Sequence, residues 1–276
     1  MDYTAELLLN FYSPMPTALA IAAHPDDIEF VMAGTLLLLR EAGWETHYFN
    51  LSTGNLGSSV MSAAKTARVR RREARAAAKM LGAKWHAPIC NDLEVFYTDE
   101  NIRRVCAVVR EARPTVLLTH ALEDYMEDHM ITARIAVTAA FARGMRNYHS
   151  RPQRKAVLDS CVIYHAMPHG QRTRLRERVR PEIYVDTSSV HATKRAALAC
   201  HASQREWLDA SQGQDNYLDV MSGFSLALGR QTRRFEHAEG WSRHLHYGFA
   251  ESEDNPLREV LDGRAIAAMR QRTAAK

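Results

Sequence analysis

The sequence predicts an α/β fold in which a mostly parallel β-sheet carries helices on both faces. Short apolar runs alternate with longer helical patterns from Thr17 to about residue 145, and several of the apolar runs end in polar clusters. Strands that alternate with helices form βαβ units, which build parallel sheets. Ligand sites in such sheets lie at the carboxyl ends of the strands.

The elements follow one another in a regular order. The pattern predicts a strand over 17–23, a helix over 31–42, a strand over 46–52 and a helix over 62–81, with Gly43 and Gly82 as stop signals for the two helices. A helix over 100–112, a strand over 115–119 and a helix from about Asp128 continue the alternation.

The pattern weakens after Tyr148. We expect strands over 160–165 and 183–186, an exposed loop over 171–180 that contains five arginines, and a helix from Ser188 or Ser189 to about Ala210. The remainder is expected to be helical. The sequence therefore predicts one domain over 1–276, with a core over about 15–210 and a helical C-terminal extension over about 211–276.

Composition limits the classes of protein that the chain can represent. The 276 residues are 46% hydrophobic and 25% charged, which is typical of a folded globular protein. The longest aliphatic run, Leu36 to Leu39, is too short for a membrane span, and the first residues lack the basic flank of a signal peptide. We therefore expect a cytoplasmic protein.

Charge and cysteine content limit the kinds of binding partner and of cysteine chemistry that we expect. A formal net charge of +4 is a mild excess that suits a small acidic molecule as well as a nucleic acid. The four cysteines are far apart, which favours reduced thiols over disulfides or a zinc ribbon. We expect a small-molecule partner and no nucleic acid, and a homo-oligomer is compatible with the sequence.

A first polar cluster follows the first predicted strand. His24, Asp26 and Asp27 lie within four residues in the stretch Ala-His-Pro-Asp-Asp. His24 and Asp27 can converge on one cation, which leaves Asp26 free to act as a base. The alternative is an acidic turn that caps the next helix.

A second polar cluster follows the strand over 115–119. His129 would complete a set of two histidines and one carboxylate with an open position for water, as in hydrolytic zinc sites. The alternative for His129 is a residue at a helix start beside the capping Asp128. The cluster consists of His120, Glu123, Asp124, Tyr125, Glu127, Asp128 and His129.

These residues resemble the PIG-L or LmbE-like zinc N-deacetylases, which remove acetyl groups from N-acetylglucosamine in glycoconjugates. The resemblance rests on the Ala-His-Pro-Asp-Asp stretch that ends at Asp27 and on the pair Asp128 and His129. Further matches are Thr53 to Ser58, Arg70-x-x-Glu73, Leu81-Gly82, Asp92 and His201-x-Ser203-Gln204.

The resemblance implies a Rossmann-like fold and a role for each matched residue. His24, Asp27 and His129 would bind Zn²⁺, with another divalent metal as the alternative, and Asp26 would be the general base. Arg70 and Asp92 would contact sugar hydroxyls. We expect Asp128 to hydrogen-bond a ligand or neighbouring histidine and hold its tautomer, with the helix cap as the alternative.

Three positions depart from the family pattern. Ile28 separates Asp27 from Glu29, and Asn55 stands where relatives often have Glu. Met126 replaces the histidine that usually polarises the tetrahedral intermediate, and methionine cannot donate a proton. We expect another residue to take that role, and the candidates are His165, Tyr125, His120 and His201.

The predicted function is removal of the N-acetyl group from an N-acetylglucosamine-type amino sugar in a small conjugate. Met126 motivates one alternative, a pseudo-enzyme that binds zinc and sugar without turnover. A nucleotide-binding module is the second alternative, although the loop after the first strand lacks the Gly-x-Gly-x-x-Gly pattern.

Overall fold

The computed structural model describes residues 15–204 and 217–268, and this part of the chain contains eight strands and eight α-helices. The strands are β1 (Thr17–Ala22), β2 (Glu45–Asn50), β3 (Lys84–His86), β4 (Val116–Thr119), β5 (Val162–Ala166), β6 (Ile183–Asp186), β7 (Ala238–Arg243) and β8 (Ala265–Ala267). The helices are α1 (Asp27–Val31), α2 (Ala33–Glu41), α3 (Ala63–Leu81), α4 (Asp99–Ala112), α5 (Glu127–Ala142), α6 (His191–Ala199), α7 (Tyr217–Thr232) and α8 (Pro256–Val260).

All eight strands form one sheet in the order β3-β2-β1-β4-β5-β7-β6-β8. The first five strands in that order are parallel, whereas β7 runs antiparallel to β5 and β6, and β8 runs antiparallel to β6. This confirms the predicted α/β fold with a mostly parallel sheet. The chain places β2 and β3 on one side of β1 and β4 and β5 on the other, so a topological switch point lies between β1 and β4.

Side-chain alternation along β1 explains why helices cover both faces. Ala18, Ala20 and Ala22 belong to one buried cluster, and Leu19 and Ile21 belong to a second cluster. Successive side chains of a strand point to opposite faces, so the two clusters lie on the two sides of the sheet. A strand with both faces buried is expected at the centre of a parallel sheet.

The C-terminal segment differs from the prediction. Within 217–268, α7 and α8 are helical, but β7 and β8 join the sheet, so the expectation of an all-helical extension is wrong. The sequence Ala-Glu-Gly-Trp-Ser-Arg of β7 lacks an apolar alternation, and the glutamate within it is buried. The predicted helix end at Ala210 lies outside the described residues.

The buried Glu239 of β7 accepts hydrogen bonds from α2 and forms an ion pair with Lys194 of α6. Glu239 accepts hydrogen bonds at 2.8 Å from the backbone N–H groups of both Gly34 and Thr35, the second and third residues of α2. Lys194 Nζ lies 2.7 Å from Glu239 Oε1. The carboxylate satisfies free N–H groups at the helix N-terminus, and the lysine balances its charge.

Gly34 is required by this packing. A Cβ at this position would lie 2.5 Å from Thr187 Cγ2 and 2.9 Å from Glu239 Oε1. The absence of a side chain therefore permits α2 to approach both groups closely.

Within the described residues, no helix combines the length and the apolar character that crossing a membrane requires.

We expect the buried pair to stabilise the fold far more than an exposed pair with the same geometry. Lys84 Nζ lies 2.7 Å from Glu45 Oε2, but the exposed fractions of these side chains are 63% and 31%, against 1% and 2% for Lys194 and Glu239. Lys194→Met should lower the free energy of unfolding by about 3–5 kcal/mol, because it leaves a buried charge without its partner. Lys84→Met should cost less than about 1 kcal/mol. Equal losses in chemical denaturation would contradict this assignment.

Candidate functional site

Three predicted ligand residues converge beyond the carboxyl ends of β1 and β4. His24 and Asp27 follow β1, and His129 lies in the first turn of α5. One nitrogen or oxygen atom from each of the three lies within 4.8 Å of the others. This is the position at which the sheet topology predicts a ligand site.

Hydrogen bonds determine which nitrogen of His24 faces the centre of the group. His24 Nε2 lies 3.0 Å from Asp128 Oδ2, whereas Nδ1 lies 3.3 Å from Asp27 Oδ2. The Asp128 carboxylate therefore accepts the Nε2 proton, and Nδ1, on the side of Asp27, is the nitrogen available to a metal. The backbone N–H of His24 also donates to Asp27 Oδ2, at 2.6 Å.

His129 has the same arrangement with the roles of its two nitrogens exchanged. Its Nδ1 lies 3.1 Å from Asp124 Oδ1, and its Nε2 lies 3.4 Å from Asp27 Oδ1. Both histidines thus carry a carboxylate on the far nitrogen and present the other nitrogen to Asp27. Carboxylates orient metal-binding histidines in this way.

A second group, His120, Asp124 and His129, also has donor atoms within 4.8 Å of one another. His120 Nε2 accepts the backbone N–H of Ala23 at 2.9 Å, so its lone pair is already engaged. Its ring is buried and stacks on His129, with centroids 4.2 Å apart. Because this group lacks a free imidazole lone pair at His120, the first group suits a cation better.

The carboxylates create a strongly negative environment. Burial opposes the charged form of His24, but hydrogen bonds with Asp128 and Asp27 outweigh it and raise the pKa to about 9. Burial also opposes the charged form of His129, but the charge of Asp27 and the hydrogen bond to Asp124 raise its pKa to about 10. Burial would raise the pKa of Asp27, yet His129, His120 and His24 hold it well below the usual range.

The donor set fits a divalent metal. Two imidazole nitrogens and one carboxylate, with further positions left to water or substrate, are the ligands of hydrolytic zinc sites. The surrounding negative charge favours a cation, and the convergence of His24, Asp27 and His129 requires no change of fold.

Asp26 lies beside this group in a constrained position. Its backbone has φ 102°, in the left-handed region that residues other than glycine rarely adopt. The Tyr217 hydroxyl donates to Asp26 Oδ2 at 2.5 Å, and Arg70 Nη2 lies 3.5 Å from the same oxygen. Burial raises the pKa of Asp26, and the charge of Arg70 opposes that rise.

Arg70 and Asp92 line the crevice, but both side chains also form hydrogen bonds with backbone groups of neighbouring loops. Arg70 is buried, and its guanidinium donates to the Pro25 carbonyl oxygen. Asp92 Oδ1 accepts the N–H of Gly54 at 2.7 Å, and Oδ2 accepts the N–H of Leu56 at 3.0 Å. Asp92 therefore fixes the loop after β2, while both residues still line the crevice. The neighbouring Arg68, Arg71, Arg72 and Arg75 of α3 are exposed.

The candidates for the missing donor at Met126 lie in different places. His165 is buried, with Nδ1 2.7 Å from the His120 carbonyl oxygen and Nε2 2.9 Å from His244 Nδ1. His201 is fully buried, with Nε2 3.6 Å from Glu29 Oε1. Neither lines the crevice.

Tyr125 does line the crevice, together with Met126. Its ring meets His129 edge to face, with centroids 5.5 Å apart, and the residue is 61% exposed. His169, which the sequence analysis did not select, also lines the crevice.

Asp124 connects His169 to the ligand group. The backbone N–H of His169 donates to Asp124 Oδ2 at 3.0 Å, while Asp124 Oδ1 contacts His129. The His169 ring packs against Phe30 and Tyr125, with centroids 5.4 Å away in both cases. Burial lowers the pKa of His169, which favours a neutral imidazole with one N–H donor.

Sequence reasoning also missed Tyr217, because it lies 191 positions from Asp26 in the chain and no local pattern connects the two residues. The only signal available for His169 was its place just beyond the strand over 160–165. No residue of the arginine-rich loop over 171–180 is among the described residues that line the crevice. Arg174 of this loop lies 3.5 Å from Glu127 at the start of α5.

The crevice has a volume of about 370 Å³. Its wall combines the carboxylates and imidazoles with apolar groups from several elements, among them Phe30, Leu56, Leu93, Met126 and Tyr217. A small molecule with both polar and apolar surface fits such a wall.

Comparison with known proteins gives consistent results. The family model described as PIG-L, GlcNAc-PI de-N-acetylase, matches residues 19–140. A 4-oxalmesaconate hydratase from Pseudomonas putida is 30% identical over 233 residues, which cover 82% of this chain and 84% of the relative. A diacetylchitobiose deacetylase from Thermococcus kodakarensis is 28% identical over 201 residues, 70% of this chain and 72% of the relative.

Solved structures show the same fold. The 4-carboxy-2-hydroxymuconate hydratase of Pseudomonas putida KT2440 superposes with a TM-score of 0.72 and 25% identity, covering 87% of this chain and 99% of that chain. The N,N'-diacetylchitobiose deacetylase of Pyrococcus horikoshii gives a TM-score of 0.71 at 20% identity, covering 93% and 98%. From the family match and the relative that is 30% identical, we conclude that the chain belongs to the PIG-L (GlcNAc-PI de-N-acetylase) family.

Proposed function

We propose that this protein is a metal-dependent hydrolase that removes the acetyl group from an N-acetylglucosamine-type amino sugar in a small conjugate. The observation that carries the proposal is the position of the Asp26 carboxylate, in the same crevice as the convergent His24, Asp27 and His129. A base beside a two-histidine, one-carboxylate donor set suits the hydrolysis of an amide by a metal-activated water.

The proposed roles follow from the contacts. His24, Asp27 and His129 would bind the metal, which when present lowers the pKa of water and polarises a carbonyl oxygen. Asp26 accepts a proton from the attacking water and returns it to the amine as the C–N bond breaks. Tyr217 and Arg70 position the carboxylate of Asp26 for both transfers.

The charge of the crevice supports a neutral sugar as substrate. Arg70 is the only lysine or arginine among the described residues that line it, and its guanidinium is engaged by Asp26 and the Pro25 carbonyl. Asp92 Oδ2 accepts only one hydrogen bond within the described chain, so it can accept another from a sugar hydroxyl. A ligand with several carboxylates would find little positive charge here except the metal.

A second candidate function is the hydration of a carbon–carbon double bond. The relative named 4-oxalmesaconate hydratase supports it, with 30% identity over 82% of this chain. Met126 also supports the hydratase function, because the deacetylases that the sequence resembles usually have a histidine at this position. Both reactions use a base that takes a proton from water, so Asp26 and the metal ligands serve either one.

The two functions and the binding-only alternative differ in their products. Zinc-loaded protein should release acetate and free amine in equal amounts from N,N'-diacetylchitobiose or another conjugate in a panel of N-acetylglucosamine compounds. Consumption of 4-oxalmesaconate without acetate release from any member of the panel would support the hydratase. No turnover in either assay, at full metal loading and with measurable sugar binding, would support the pseudo-enzyme.

We expect Asp26→Asn to separate the base from the ligands. The variant should retain its metal and lose activity by about 10²- to 10⁴-fold, as is typical when a general base is removed. Asn also tolerates the left-handed backbone of this position. His129→Ala, the matched control, should lose the metal itself. Metal analysis after dialysis checks both, and equal metal loss in the two variants would show that the roles are misassigned.

We expect His169 to supply the hydrogen bond that Met126 cannot make. His169→Phe preserves the aromatic packing and removes the N–H, so kcat for acetate release should fall by about 10²- to 10³-fold. Tyr125→Phe is the control: it keeps the ring that packs on His129 and removes only the hydroxyl, so if His169 is the donor, activity should stay within about tenfold of the parent. Unchanged turnover in His169→Phe would exclude His169, and a larger loss in Tyr125→Phe would assign the role to Tyr125.

A further inference from the structure

A second, larger groove lies on the other side of the segment that forms one wall of the crevice. Its volume is about 820 Å³, and Gly170 and Gln171 line it, whereas the adjacent His169 lines the crevice. Five arginines also line it: Arg172, Arg178, Arg180, Arg230 and Arg233.

The groove carries positive charge without neutralising acids. No aspartate or glutamate is among the described residues that line it. Within 15–204 and 217–268, ion pairs of loop 171–180 involve Arg174 alone, which contacts Glu127, and none of the five groove arginines forms one. Residues 269–276, which continue the chain from the groove residue Ala268, contain no Asp or Glu.

Local structure explains only part of this cluster. Arg230 lies in the last turn of α7 and Arg233 directly follows that helix, where the helix dipole favours cations. Arg172 and Arg178 form an isolated antiparallel bridge, so they oppose each other in the backbone pairing of the loop. Like charges directly opposite each other are destabilising, and an anion between them would remove that cost.

Hydrogen bonds fix the floor of the groove. The Tyr184 hydroxyl donates to Gln231 Oε1 at 2.9 Å, and Gln231 Nε2 lies 3.5 Å from Gln171 Oε1. Gln171 Nε2 in turn donates to the Phe224 carbonyl oxygen at 2.7 Å. This series of hydrogen bonds connects β6, α7 and the loop after β5. It therefore fixes the two arginine-bearing walls of the groove, the loop over 172–180 and the end of α7, relative to each other.

We propose that this groove is a binding site for a small polyanion that carries at least two phosphate or carboxylate groups. Guanidinium groups bind both kinds of group through paired, charge-assisted hydrogen bonds. Arginines from two segments, the loop over 172–180 and the end of α7, suit a ligand that carries more than one charge, and the volume of about 820 Å³ accommodates a small one. The site is separate from the metal crevice, so it does not depend on the proposed catalytic function.

Calorimetric titration of zinc-loaded protein at an ionic strength of about 0.15 M, where charges more than about 8 Å apart are largely screened, tests the proposal with pyrophosphate and tricarballylate as probes. Arg230→Gln/Arg233→Gln removes charge from one wall, and Arg172→Gln/Arg178→Gln removes it from the other. Each double variant should weaken binding by about tenfold or more, because each removes two charge-assisted contacts. Binding of one probe but not the other would identify phosphate or carboxylate as the preferred group, and binding of neither to the parent protein would overturn the proposal.

Two controls separate the groove from general charge and from the metal. Arg146→Gln/Arg258→Gln changes the net charge equally at two exposed arginines outside the groove, and should alter the dissociation constant by less than about twofold. His129→Ala, expected to lack metal, should keep its affinity for the probes. Equal weakening in the control pair, or loss of binding in His129→Ala alone, would contradict a polyanion site in the groove.

Discussion

The parallel pairing of β1 with β4 is the constraint on which the site depends. The pairing runs from Ala18 opposite Val116 to Ile21 opposite Thr119, so the two strands end at the same edge of the sheet. Residues 104 positions apart in the chain, His24 and Asp128, thereby come within hydrogen-bond distance. Because the chain leaves β1 toward one side and later returns to the other, no crossover helix covers this edge, and a crevice remains open.

Two carboxylates connect the ligand group to the walls of that crevice. Asp128 contacts His24 and also accepts the N–H of Leu93, and Asp124 contacts His129 and accepts the N–H of His169. Each carboxylate therefore orients one imidazole and fixes one neighbouring loop through the same side chain. The proposed metal ligands and the loops that line the crevice are therefore held by the same two side chains, and carboxylates behind metal-binding histidines usually have this supporting role.

The features that could be predicted from the sequence are those determined by where strands end and by the spacing of nearby residues. The parallel fold and the convergence of His24, Asp27 and His129 follow from residues placed just beyond strands. The expectation that His165 would face the crevice overlooked that β5 continues to Ala166, so the first residues to reach the crevice lie further on, at His169. Tyr217 of α7 contacts Asp26 from 191 positions further along the chain, and β7 lacks the apolar alternation that marks a strand. Such contacts depend on tertiary packing rather than on local pattern.

The most direct test of the metal centre is a crystal structure of the zinc-loaded protein with anomalous diffraction measured on both sides of the zinc absorption edge. We predict about one zinc ion per chain, bound by His24 Nδ1, Asp27 and His129 Nε2, with zinc–nitrogen distances of about 2.0–2.1 Å. Zinc bound by His120, Asp124 and His129, or a first coordination shell that lacks His24, would contradict this assignment of the site.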